Sequence, residues 1–299
     1  MTYRSTLPIL APLLAIASHP FLARGEEQAV SARSDKSGFH LFSPTPAELM
    51  RDLSADRPDA TESPFTVDAG HVQVELSFFD YARDRENGDR LDAWTALDTN
   101  VKLGLTNDID IQFVFAAYSH VRTTPAGSPT ETLQGFGDFV VRLKYNFWGN
   151  DEGDPRTPSG LETTGLGIMP FIKIPTGTEL SNDHVEGGII IPLSVAVTEG
   201  IGLGFMAEID FVYNDLDRRY DVEFVHTATI GFDIVGPVGA FVEYVGIIST
   251  DNASDYQAIF ITGVTVEITP NLLFDLGLRV GLTDTAEDLG VFAGMTWRY

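Results

Sequence analysis

The chain has 299 residues, 43 acidic against 19 basic, a formal net charge of −24 and no cysteine. A balance this acidic argues against nucleic acid, whose phosphates require a positive footprint, and against a basic patch for anionic headgroups. Without cysteine, disulfides, thiolate zinc sites, iron–sulfur clusters and cysteine nucleophiles are all excluded. The 28 glycines, 20 phenylalanines and 9 tyrosines fit either an acidic soluble protein or one whose apolar face meets lipid.

The N-terminus carries Arg4, an apolar run from Leu7 to Ala17, and Ala23-Arg24-Gly25. A short apolar stretch behind a positive residue and before small residues predicts a cleaved signal peptide over residues 1–25, since spanning a bilayer takes about 20 apolar residues. A buried N-terminal helix is the rival reading, and Pro8, Pro12 and Pro20 count against it. No later run reaches spanning length; the nearest, Gly187 to Val197, contains Pro192. Residues 26–70 form a separate piece, mostly irregular. The part to residue 43 is polar enough to be disordered. Pro46 to Leu53 could make one or two turns of amphipathic helix, and Asp56 to Pro64 is polar and irregular. The piece reads as a periplasmic lead-in or a partial plug, and a lead-in entering a barrel mouth is the favoured reading.

From residue 71 to 299 one pattern repeats: an alternating segment of 10 to 13 residues, then a turn. Twelve segments begin near 71, 91, 109, 136, 164, 187, 201, 221, 238, 256, 272 and 288. Leu272, Phe274, Leu276, Leu278, Val280 and Leu282, alternating with Asp275, Gly277, Arg279 and Gly281, show the period most clearly. A period of two excludes helices. A soluble β-sandwich would alternate too, but the strands are long, the apolar face runs through all twelve, and glycine and charge interrupt only the other face. The fold class is therefore all-β: an antiparallel transmembrane β-barrel of the outer-membrane type with about 12 strands. Short turns at 106–108, 199–200, 236–237 and 269–271 alternate with polar loops near 82–90, 122–135, 176–186, 213–220, 249–255 and 283–287, which puts the short turns and both termini on the periplasmic side. Residues 149–162 break this rule, being long where a short turn belongs, and read as an insertion. The last segment alternates up to Trp297 and Tyr299. A strand at the chain's end must pair, and barrel closure against the first strand does so. Its terminal aromatic resembles the tail that the outer-membrane assembly machinery recognises.

If the apolar set faces lipid, the other set lines the lumen: Glu75, Asp92, Asp98, Lys102, Asp110, Asp138, Arg142, Lys144, Lys173, Glu208, Asp210, Glu223, Glu243, Asp275, Arg279 and Arg298. Such a lumen is acidic but mixed. Its charges either pair across a narrow interior or give an open bore cation preference, and pairing is the favoured reading. Tyr145, Phe147, Trp297 and Tyr299 suit a lower aromatic girdle; Phe78, Phe211 and Phe224 suit an upper one. The expected partners are the lipid bilayer, lipopolysaccharide and a small-molecule substrate, for a chain acting as a monomer with no cofactor. An enzyme reading has one form, the twelve-stranded outer-membrane phospholipase with His and Ser two residues apart on the lipid face. His226 has the right phase, but residue 228 is alanine, so the nucleophile is missing. The loop group Asp183, His184 and Glu186 is a weak candidate for a cation, and no metal site is expected.

Asp56-Arg-Pro-Asp-Ala-Thr-Glu-Ser-Pro-Phe-Thr-Val67 leads into Gly70-His-Val-Gln-Val-Glu75, with Gly135-Phe-Gly-Asp-Phe139 and Pro170-Phe-Ile-Lys-Ile-Pro-Thr-Gly177 further on. This set resembles the outer-membrane barrel family labelled putative meta-pathway of phenol degradation, over residues 50–299. The resemblance implies a monomeric outer-membrane channel or transporter passing small aromatic or other apolar molecules. A structural or adhesion-type barrel without an open pore is the alternative. The long 149–162 segment departs from the family pattern.

Overall fold

A computed structural model describes residues 35–86, 88–251 and 254–299. The expected signal peptide lies outside the described residues. The strands are β1 (Val72–Glu86), β2 (Asp89–Gly104), β3 (Ile109–Thr124), β4 (Glu131–Gly135), β5 (Phe139–Trp148), β6 (Thr164–Ile174) and β7 (Glu186–Thr198). They continue with β8 (Ile201–Asn214), β9 (Arg219–Val235), β10 (Val238–Ser249), β11 (Gln257–Thr269), β12 (Leu272–Gly281) and β13 (Leu289–Arg298). Strands β4 and β5 both pair with β3 and are the two halves of one wall strand, so the antiparallel barrel has twelve. Residues 136–138 interrupt that strand, and Gly137 still donates its N–H to Ala116. Each strand pairs with its neighbour in sequence, and β1 with β13 closes the ring. Tyr299 and Val72 exchange backbone hydrogen bonds of 2.8 and 3.2 Å, so the last residue is paired with the first strand residue. Closure pairs every described strand on both sides except the short β4, which pairs only with β3, and a sheet in hydrocarbon requires such pairing.

The walls are inverted relative to a soluble sandwich. Ile172, Ile189, Ile191, Phe205, Ile209 and Leu276 are exposed on the outside, while Lys102, Asp110, Lys144 and Glu243 are buried inside. A continuous apolar exterior around a polar interior is stable only with lipid outside. The short turns and the C-terminus share one end of the barrel, as the alternation of connections requires.

Three expectations about the chain path change. The supposed loop at 82–90 is strand: Asp84 pairs with Leu91, Arg85 with Arg90 and Glu86 with Asp89 around Gly88, whose φ is +93°. Its polar residues describe a hairpin rising above the bilayer, where alternation no longer needs an apolar side. The helix expected at Pro46 to Leu53 shrinks to a single 3₁₀ turn, Ala47–Leu49, because Pro46 makes no capping bond and Met50 is extended. Residues 39–43, expected to be disordered, form a tight turn instead: His40 and Ser43 exchange backbone hydrogen bonds, and Leu41 donates to Leu105 at the foot of β2.

The β1–β2 hairpin breaks its two-residue period at mid-strand, one of several register shifts in the wall. Ser77 is buried, Phe78 and Phe79 are both exposed, and the β1–β13 register shifts between Ser77 and Phe79. Opposite them Leu97 takes φ +56°. Such a bulge places two consecutive side chains on one face and reverses the phase of everything beyond it.

Candidate functional site

The barrel interior is occupied by the chain's own residues 53–69, which enter from the end that carries the short turns and the C-terminus. Their sequence, with Pro58 and Pro64 and no apolar period, supports neither helix nor strand. Their backbone donors are satisfied instead by side chains of the wall, as buried N–H groups must be. Asp56 N–H donates to Glu75 (2.8 Å), Ala60 N–H to Glu243 (2.7 Å), Val67 N–H to Asp110 (3.0 Å) and Thr66 N–H to Asn150 (3.2 Å). Polar inward side chains and an irregular polar segment are thus two halves of one hydrogen-bond set. Where the segment presses on the wall, the wall has glycine: a Cβ at Gly165 would lie 2.7 Å from the Phe65 ring, and one at Gly204 would lie 3.0 Å from Thr61.

Charge is matched in the same way. Asp56 is fully buried between Lys144, 2.7 Å away, and Lys102, which also holds Glu75 at 2.5 Å. Arg57 forks onto both oxygens of Asp275, at 3.0 and 2.7 Å, and donates to Ser77. Glu62 accepts from Arg142 at 2.6 Å, and Thr61 bonds Glu243 and Thr227, each at 2.6 Å. One short segment therefore ties together β1, β2, β5, β9, β10 and β12. Away from it, Arg279 pairs with Asp80 and Glu287 at 2.5 Å each, and Lys173 with Glu186 at 2.5 Å and Asp138 at 3.3 Å. Arg298 lies 3.4 Å from Asp68 and forks onto Asn271. Asp98, Glu208, Asp210 and Glu223 form no ion pair among the described residues, although all four sit in the inward phase.

Of the residues expected to line the lumen, Asp92 is the exception. It accepts from Tyr81, whose ring stacks on the exposed Phe79, and pairs with Arg90, so it lies on the outer face. The phase reversal at Phe78–Phe79 and Leu97, invisible to a strict two-residue count, put it on the wrong side. Of the girdle residues, Tyr145 and Phe147 pack edge to face 5.1 Å apart and Trp297 lies 5.9 Å from Tyr299, all on the exterior near the periplasmic rim. Phe211 and Phe224 are exposed near the upper ends of β8 and β9. Phe78 does not join them: β1 runs on to Glu86, which leaves Phe78 at mid-strand with its ring 6.1 Å from Phe274.

A second inward feature has no counterpart in the expected site. On β10 and β11, Phe241, Val245, Ile247, Ile259 and Ile261 face inward and are buried, packed with Phe292, Met169, Ile190, Met206 and Val225. Ala60, whose N–H donates to Glu243, touches this cluster, and Ala286 folds into it from the loop after β12. The interior thus carries an apolar cluster among its polar groups, with buried Glu243 between Phe241 and Val245 on β10. The sequence signal was the loss of polar alternation in β10 and β11, whose two faces are both largely apolar.

The 149–163 connection is part of the same assembly. Asn150 donates to Thr66 (2.9 Å), Asp151 accepts from Lys36 (2.6 Å) and Asn107 (2.7 Å), and Arg156 reaches Asp108 (2.8 Å). It is long because it ties the lead-in to the turn after β2. Burial pushes the Asp151 carboxyl up, but the Lys36 hydrogen bond and the Arg51 charge outweigh it and hold the carboxyl below its ordinary range.

His226 lies on the exterior against Phe224, Tyr244 and Tyr256, and no serine or threonine shares its face two residues on. Of the loop cation candidates, Glu186 is taken up by Lys173, and the His184 ring stacks 3.5 Å from that of Tyr213. Among the described residues no group of three or more ligand-type side chains is placed to hold a metal.

No curated protein matches the chain. Among solved structures it is similar to an outer membrane channel from Pseudomonas putida F1, with a TM-score of 0.61 at 10% identity, covering 82% of this chain and 99% of that one. The beta domain of the Bordetella autotransporter BrkA aligns over 76% of this chain and 98% of its own, at 10% identity and a TM-score of 0.49, too distant to carry an argument. The likeness to the Pseudomonas channel shows the fold of an outer-membrane barrel. A family profile matches residues 55–299, from the lumen segment to the last strand, and the chain belongs to that family, described as Putative MetA-pathway of phenol degradation.

Proposed function

We propose that the protein is a monomeric outer-membrane channel for passive passage of small, partly apolar molecules, including small aromatics. The observation that carries this reading is the divided interior. Buried Phe241, Val245, Ile247, Ile259 and Ile261 form an apolar stripe on β10 and β11, and Glu208, Asp210 and Glu223, which form no ion pair among the described residues, stand beside it on β8 and β9. An apolar stripe beside acids within one interior suits the passage of an amphipathic solute. Family membership and the resemblance to a bacterial outer membrane channel support the reading. In the resting state residues 53–69 occupy the route, so passage requires their central part to shift while the ends stay tied.

Export by a cleaved signal peptide, insertion through recognition of the C-terminal strand, and contact of the upper girdle with lipopolysaccharide complete the proposal. No catalytic role is assigned. The alternative, a closed barrel with a structural or adhesive task, draws on the dense ion pairing around Asp56, Arg57 and Glu62. Liposome-swelling assays on the purified protein separate the two. Channel activity toward small aromatics, absent from protein-free liposomes, is the expected result; no swelling with any solute favours the closed barrel.

A further inference from the structure

We propose that the outer face of β1, β2 and β3 near their upper ends is a binding site for the phosphate groups of the outer-leaflet glycolipid, with Arg83, Arg85 and Arg122 as its anion ligands. This rests on the outer-membrane placement of the barrel, not on the channel reading, and gives the contact with lipopolysaccharide a site and a chemistry.

Register fixes the face. Above the bulge at Phe78–Phe79, Tyr81 stacks on the exposed Phe79 and donates to Asp92, so both lie outside. Residues directly opposite in an antiparallel pair share a face, and so do residues two apart on one strand. Asp92 stands opposite Arg83 on β1 and Arg122 on β3, and Arg90 stands opposite Arg85. Four arginines therefore face outward on three adjacent strands, and among the described residues Asp92 is the one acid in that phase. The other acids of the hairpin, Asp84, Glu86 and Asp89, alternate to the opposite side. The whole-chain charge of −24 hides this local excess of base, so the argument against a basic patch fails here.

Two further observations point to a lipid anion. The first is that the bases are unspent. Arg90 is paired with Asp92 at 2.6 Å, but Arg83, Arg85 and Arg122 form no ion pair among the described residues. Arg83 Nε is shielded from solvent and has no acceptor, although buried donors are almost always satisfied. Bases inside the barrel differ: Lys102, Arg142, Lys144 and Arg279 each hold an acid at 2.7 Å or less. The second lies one step below Asp92 on the same face. Trp94, directly opposite Tyr81 and His120, stacks on the His120 ring at 5.6 Å and lies 5.1 Å from Tyr118, which donates to Gln134. Aromatic rings with polar handles mark the headgroup level of a bilayer, so the arginines begin where lipid phosphate stands. Guanidinium forks match phosphate oxygens in pairs.

The test measures binding of purified lipid A, the phosphorylated anchor of lipopolysaccharide, to the full-length protein in detergent micelles, beside the same lipid with its phosphates removed. The native protein is expected to bind the phosphorylated lipid at least about tenfold more tightly. The combined Arg83→Gln, Arg85→Gln and Arg122→Gln variant is expected to lose that preference. Arg218→Gln, the same charge change at an exposed arginine between β8 and β9, is expected to keep it. Heat-modifiable migration checks folding, and Arg122→Gln alone, expected to weaken binding about fivefold, serves if the combined variant does not fold. Equal binding of the two lipids, or a preference retained in the folded variant, overturns the site. Full competition by millimolar inorganic phosphate overturns the lipid assignment in favour of free anions. A changed oligomeric state in the variant, with lipid binding intact, assigns the face to a second copy instead. Fractionation of cells tests the placement separately: absence of the native protein from the outer membrane removes the ground of the proposal, whereas failed lipid binding with correct placement removes the site alone.

Discussion

Asp56→Asn removes one charge from the centre of the barrel and leaves the rest of the side chain in place. In the native interior Asp56 and Glu75 balance Lys102 and Lys144, with Asp56 in contact with both lysines. All four side chains are at most 2% exposed. Without the Asp56 carboxylate Lys144 keeps only Glu62, 4.0 Å away and already shared with Arg142, and breaking a buried ion pair from one side costs about 3–5 kcal/mol. The barrel's own hydrogen-bond ladder is untouched, so the cost falls on docking of residues 53–69. At about 1.4 kcal/mol per factor of ten, the undocked population should rise about a hundred- to four-thousandfold. The chain lacks cysteine, so Ala60→Cys introduces a single thiol at a position only 6% exposed. Its rate of modification by a small water-soluble maleimide reports the undocked population when docking is fast relative to labelling. The expected result is slow labelling of Ala60→Cys alone and a rate at least about a hundredfold higher with Asp56→Asn added. Equal rates in the two backgrounds would refute the view that the Asp56 ion pairs hold the segment in the lumen.

Leu276→Arg places a charge on an exterior position that is 57% exposed in the isolated chain, and should cost about 2–4 kcal/mol in reversible unfolding from liposomes. Gly165→Val should crowd the Phe65 ring and weaken docking by about 1–3 kcal/mol, read as faster labelling of the Ala60→Cys thiol, while the exterior-facing Leu166→Val should not. Asp151→Asn loosens the periplasmic tie to Lys36 by at most about 1 kcal/mol, because the carboxylate is part-exposed, and should speed protease cleavage near Lys36. The Asp151 carboxyl is held below its ordinary range, so its contribution is complete above the unfolded value near 3.8 and is lost as pH falls through the lower folded value. Cleavage near Lys36 should therefore be constant from neutral pH down to about 4 and rise below it, with an acid-active protease as probe.

The strands were legible because lipid on one side and polar groups on the other impose a strict period of two, and eleven of the twelve expected starts fall within three residues of the observed ones. The fourth differs by five because the wall strand there begins as the separate β4 at Glu131. Beyond the bilayer that constraint lapses, which is why the β1–β2 hairpin above Ala82 read as loop. Asp92 failed for a local reason: a bulge at Phe78–Phe79 with Leu97 at φ +56° leaves no mark in composition. Paired charges were foreseeable as a class, but not the partners. Arg57 meets Asp275 and Thr61 meets Glu243, 218 and 182 residues away, and an irregular segment offers no period from which to set a register. Only the docked segment shows that one aspartate serves both Lys102 and Lys144. The apolar stripe on β10 and β11 was hidden because a strand apolar on both faces looks the same whichever way it points.

The central claim is that the barrel lumen is the route and residues 53–69 are what fills it. Planar-bilayer recording of the full-length protein beside Asp56→Asn tests it most directly. Small conductance steps in the native protein and larger or more frequent ones in the variant are expected. Silence from both, with folding confirmed, would contradict the claim.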